Sequence, residues 1–142
     1  MKGRTVCFAF LIAAAPHAIG DGPVDAERAR LNYMLNCQGC HLPDGSGVED
    51  AVPRMNGFVG NFLHVPGGRE FLVRVPGSAN AALDDASLAE LLNWILVTMS
   101  PGELPPSWVP YSAGEVAELR SAPLREVEKV RAGLVRSIQQ HL

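Results

Sequence analysis

The chain has 142 residues, 47% of them hydrophobic, with 15 acidic and 12 basic side chains and a formal net charge of −3. That length suits one domain with its own core. The acidic balance argues against nucleic acid as a partner, because such binders cluster Lys and Arg.

Residues 1–20 read as a removable signal peptide. Lys2 and Arg4 give a short positive start, and Val6 to Ala15 is an apolar run that ends at Pro16. Ala18-Ile19-Gly20 then places small residues where a signal peptidase reads, so cleavage is expected before Asp21. The run falls short of the about 20 residues needed to span a bilayer, and no later segment is apolar enough either. Cleavage removes Cys7 and leaves two of the three cysteines, so a structural disulfide is not expected. It also takes the formal charge to −5. If the segment is a bacterial signal, the mature protein belongs in the periplasm.

Asp25 to Asn36 has the spacing of a helix, with Ala26, Ala29 and Tyr33 on one face and Leu31, Met34 and Leu35 beside them. Met34 is expected in the core. The helix runs into Cys37-Gln38-Gly39-Cys40-His41, the C-x-x-C-H pattern of covalent c-type haem attachment. Two thiols three residues apart can each bond one vinyl group of the same porphyrin edge. His41 then lies under the ring, where a proximal imidazole meets the iron. A structural zinc site needs a second Cys or His pair, and the chain has none. A thioredoxin-like motif needs a βαβ pattern, which is missing. Cys37 and Cys40 are therefore the expected thioether sites of one haem c, and His41 the proximal iron ligand.

Leu42 to Gly47 is a turn-rich loop, and residues 48–68 read as loop with a short helix, rich in Gly and Pro. Glu70 to Val75 fits a short helix or an extended segment. Asp84 to Thr98 is the clearest helix, capped by Asp84 or Asp85, with Leu88, Leu91, Leu92, Ile95 and Met99 at helical spacing. Ser100-Pro101-Gly102 stops it. A Pro-rich stretch through Pro110 follows, free to wrap the core or stand off it. Ala113 to Leu119 reads as a short helix. Pro123 to Leu142 reads as a longer one, whose stripe of Leu124, Val127, Arg131, Leu134 and Ile138 is a packing face. The domain plan is thus a signal peptide (1–20), a helical haem domain (21–122) and a C-terminal helix appended to it (123–142). The fold class is mainly α.

At this point the chain resembles the class I, monohaem c-type cytochromes over about residues 25–98. The resemblance rests on the helix into Cys37–His41, on Leu42-Pro43-Asp44-Gly45-Ser46-Gly47, on Val52-Pro53-Arg54-Met55, and on a last core helix bearing Leu91, Trp94 and Ile95. It implies a cytochrome c-like helical domain around one covalent haem, with an extra C-terminal helix. It also implies that the Pro53 carbonyl accepts a hydrogen bond from His41, and that Trp94 takes the aromatic position of the last helix. One departure matters. The family usually draws a sixth-ligand Met from the loop before that helix, and here residues 75–84 hold no Met, His or Lys.

Other candidates for the sixth position are Met55, Met99, His64 and His141, or no protein ligand at all. Met55 also suits packing against the haem, and Met99 also suits the core. Asn80 reads as a turn former that could otherwise hydrogen-bond a small iron ligand. Arg69 and Arg74 are equally suited to haem propionates and to surface ion pairs.

The expected function is periplasmic electron transfer, with a redox partner protein such as a periplasmic dehydrogenase as donor. That choice of donor rests on family analogy. The acidic surface weakly favours a basic docking face on the partner. The rival reading is a haem enzyme or small-ligand sensor with an open sixth site. An assembly subunit that docks through residues 123–142 is a third.

Overall fold

A computed structural model describes residues 24–141. The expected signal peptide and Cys7 lie outside the described residues. Within them the chain is helical, and its one β feature is an isolated bridge between Val48 and Val52.

Helix α1 (Ala26–Asn36) begins at Asp25, whose carboxylate accepts the Arg28 N–H at 3.1 Å. One narrow face, Ala29 and Tyr33, packs on α5 (Asp85–Met99). Tyr33 and Trp94 meet at that crossing with ring centroids 5.6 Å apart. Arg28 reaches across to Glu90 at 2.6 Å. Because α1 has a neighbour on one side only, its other face stays in water. Met34 is 44% exposed there, with Leu31 and Leu35, which corrects its expected place in the core.

Helix α5 starts at the Asp84 cap, whose carboxylate accepts the Ser87 N–H at 2.7 Å. It is buried on several sides because α1 and α6 (Ala113–Arg120) both pack against it. Leu88, Leu91, Leu96 and Val116 make the driest part of the core. A 3-10 helix (Val59–His64) and α3 (Gly68–Arg74) close the next side, with Phe62 and Phe71 stacked at 5.0 Å. So residues 68–74 are helix, one of the two conformations the sequence allowed. A single turn, α4 (Pro76–Ala79), follows with Pro76 at its first position.

The Pro-rich stretch wraps the core. Asn93, buried on α5, donates to the Tyr111 carbonyl at 3.0 Å and accepts the Tyr111 N–H at 2.7 Å. Arg69 forks onto the Glu115 carboxylate, donates to the Val109 carbonyl at 2.7 Å and lies over the Tyr111 ring. Arg74 donates to the Ala122 carbonyl, and its own carbonyl accepts the Leu124 N–H at 2.8 Å. That tie holds residues 122–126 out of helical geometry, so the last helix, α7, runs Val127–His141 rather than from Pro123. Its apolar stripe packs on the 3-10 helix and α3, with Ile138 buried.

Candidate functional site

The haem motif changes direction at its first cysteine. Helix α1 ends as Cys37 leaves helical angles, and a new turn, α2 (Gln38–His41), begins at once. The amide N–H groups of Cys40 and His41 both bond the Cys37 carbonyl. Residues at i, i+3 and i+4 of one turn share a face. Cys37, Cys40 and His41 therefore line one cavity of about 410 Å³. Both thiols are free, Cys37 half-buried and Cys40 exposed. Burial, with a smaller push from Cys40, raises the Cys37 thiol to about 11, so it is held protonated.

Two contacts fix His41, and a third fixes the residue after it. Its Nδ1 lies 3.1 Å from the Pro53 carbonyl, which can only accept, so the proton sits on Nδ1. Its backbone carbonyl accepts the Gly47 N–H at 3.1 Å. The next residue, Leu42, has a positive φ of 62°, and its carbonyl accepts the Tyr33 hydroxyl. Burial lowers the His41 pKa, and the Pro53 contact opposes this only in part. With its Nδ1 turned to Pro53, the ring leaves Nε2 for a metal, and burial favours the uncharged form that can bind one. Gly47 makes the loop possible: φ is 72°, and a Cβ there would stand 2.2 Å from the Val52 carbonyl oxygen.

The rest of the cavity is mostly apolar. Val59, Phe62, Phe71 and Leu72 form one side and Leu92, Ile95 and Leu96 of α5 another. Val75, Pro76, Gly77 and Ser78 supply the segment where the resemblance places a distal loop. Val127 and Arg131 of α7 complete the wall. The appended helix is therefore part of the site, which its sequence did not reveal. The signal was Arg131, one charge inside an otherwise apolar stripe. Arg54 also lines the cavity.

Of the sixth-ligand candidates, Met55 lines the cavity. Met99 is buried elsewhere, its Sδ against Gly45 in the loop after the motif. His64 Nε2 is 3.0 Å from the Glu103 carbonyl, and His141 packs near its ring. Asn80 is exposed and closes α4 through its N–H to Pro76, a turn former as its residue type suggests. Arg69 and Arg74 are taken up by the C-terminal segment, so neither is placed for a propionate. Trp94 packs on Tyr33 at the α1–α5 crossing and is not among the cavity residues.

These residues fit a covalent haem. Two thiols and an imidazole share one face, the walls are apolar, the volume is that of a small-molecule site, and two guanidiniums could meet carboxylates. Among the described residues, no three His, Cys, Asp or Glu side chains converge as a bare metal-ion site.

No family model matches the chain. It is similar to a cytochrome c-552 of Thermus thermophilus, with 31% identity over 117 residues, covering 70% of this chain and 79% of that protein. A second Thermus thermophilus cytochrome c-552 is also 31% identical over 117 residues, covering 70% of this chain and 88% of its own length.

Proposed function

The chain belongs to the monohaem class I c-type cytochromes, and from that premise we propose that it transfers electrons through one haem c held by Cys37, Cys40 and His41. The single observation that carries the residue assignment is the shared face: both thiols and the His41 ring open onto one apolar cavity.

When bound, haem supplies a one-electron couple at iron. The chain's part is to hold and shield it. Cys37 and Cys40 would tether the haem covalently, one thioether from each sulfur. His41 presents Nε2 while Pro53 keeps the proton on Nδ1 and stops the ring turning. The apolar wall excludes water and so limits reorganisation as charge changes. Among the described residues no helix is long and apolar enough to cross a membrane. The proposed setting is the periplasm, after cleavage before Asp21, with a dehydrogenase as donor. The intact mass of the exported protein tests the cleavage point.

Met55 is the proposed sixth ligand if the protein supplies one, as the candidate that lines the cavity. One observation favours a second reading. Met55 sits beside Gly45, in the loop that follows His41, with its N–H on the Gly45 carbonyl at 2.7 Å. It is thus tied to the loop that follows His41, which favours packing over ligation as its role. Residues 75–78 offer no strong iron ligand. In that reading the sixth position exchanges small ligands. The visible spectrum of the mature protein, oxidised, reduced and reduced under CO, tests both. A low-spin spectrum unmoved by CO supports the carrier, and a high-spin spectrum shifted by CO supports the open site. A protein that matures without covalent haem overturns both.

A further inference from the structure

Resting on the haem assignment above, we propose that Arg131 of the C-terminal helix is the cation that holds a haem propionate, which makes α7 a cofactor-binding element of this cytochrome. Haem c brings two carboxylates into an otherwise apolar crevice. A carboxylate leaving water there needs a hydrogen-bonding cation. Among the side chains lining the cavity none is acidic, and Arg54 and Arg131 are the two guanidiniums.

The two differ in what they already do. Arg54 turns back on its own loop, with Nε and Nη2 on the Asn56 carbonyl at 2.9 and 2.7 Å. Arg131 is half-buried, stands 6.0 Å from the Phe58 ring, and makes no hydrogen bond or ion pair among the described residues. A half-buried guanidinium with its fork unused is a site for a planar carboxylate. Its position suits one as well. Arg131 and Arg54 line both the crevice and the open groove beside it, so they mark the boundary where a propionate would pass from cavity to water. Val127, one turn earlier on α7, faces the same cavity.

The charged groups around Arg131 define the controls. Glu49, Asp50 and Arg54 share the groove, Glu128 is three residues back on its own helix, and His41 lines the crevice. A positive charge near iron favours the reduced state, and it also keeps a propionate ionised. The experiment measures the reduction potential of the mature haem protein from pH 5 to 9. R131Q should shift the potential negative. It should also bring a proton-linked rise of the potential toward low pH into the range above pH 5, as the freed propionate takes up a proton. R131K should restore most of the wild-type curve. R136Q, which removes the same charge from an exposed site on the same helix, should change little. If R131Q matures poorly, R131M keeps the apolar wall and carries the same expectation. A wild-type curve in R131Q or R131M overturns the proposal, and so does an equal shift in R136Q. Absence of covalent haem in the wild-type protein would instead defeat the underlying haem assignment, a separate outcome.

Discussion

The wall that bears His41 and the segment 75–83 are held by bonds of very different reach. On the motif side the partners are neighbours. Tyr33 meets the Leu42 carbonyl nine residues on, and His41 meets Pro53 twelve residues on. Segment 75–83 is gripped from the far end of the chain. The Arg120 guanidinium donates to the Ala79, Ala81 and Leu83 carbonyls and to the Asp85 carboxylate, 35 to 41 residues away. The Ala122 carbonyl and the Leu124 N–H tie to Arg74 nearby. In the family this loop usually supplies an iron ligand. Here, without a methionine, its order comes from an arginine of the C-terminal region. The difference teaches that the same crevice combines a locally written side and one that depends on the whole chain being folded.

The largest effect expected breaks the motif side outright. Replacing Cys37 and Cys40 together by Ala should leave no covalently bound haem on a denaturing gel stained for peroxidase activity, whatever the state of the other side. Retained stain would refute the assignment.

R120M should break the other side alone. It removes four hydrogen bonds to the carbonyls of a partly buried loop and one to the Asp85 carboxylate, at a cost of about 3 kcal/mol. Urea unfolding measures that loss. Hydrogen exchange should accelerate at residues 79–83 and stay slow at residues 41–47; equal acceleration would mean the two sides are not separable.

Gly47→Ala tests the converse. The new Cβ collides with the Val52 carbonyl at a positive φ, so about 2 kcal/mol should be lost, and exchange should now quicken around residues 41–48 first. An unchanged midpoint would show that the loop can move aside.

Tyr33→Phe is the smallest change. It removes the hydroxyl bond to Leu42, worth about 1 kcal/mol. Burial raises the Tyr33 phenol to about 12, above its ordinary value of 10. The stability tied to the neutral phenol is therefore complete below pH 10 and is lost as pH rises toward 12. The variant should lose less stability over that window than the wild type, with the buried Tyr111 accounting for what remains. Parallel curves would remove Tyr33 from the account.

Much of this protein was legible before folding was considered, and the reason is distance along the chain. The thiols and imidazole share a face because three- and four-residue spacing forces it. The Pro53 carbonyl was identified through resemblance, and it meets His41 across twelve residues. The last core helix followed from its spacing and its Asp84 cap. Other placements turned on what a side chain meets after distant segments pack. Met34 is as apolar as Met99, yet α1 packs on α5 along one narrow face while α5 is covered on several, so Met34 is 44% exposed and the Met99 sulfur lies against Gly45. Arg69 and Arg131 are chemically identical. Tertiary structure set the first on Glu115 and Tyr111 and turned the second into the crevice. Spacing within a helical turn is fixed by the backbone, so the sequence by itself determined that Cys37, Cys40 and His41 share a face and that helices flank them. The partner of a long charged side chain is fixed by which distant surface arrives beside it, so only the packed fold decided what closes the crevice and which arginine faces it.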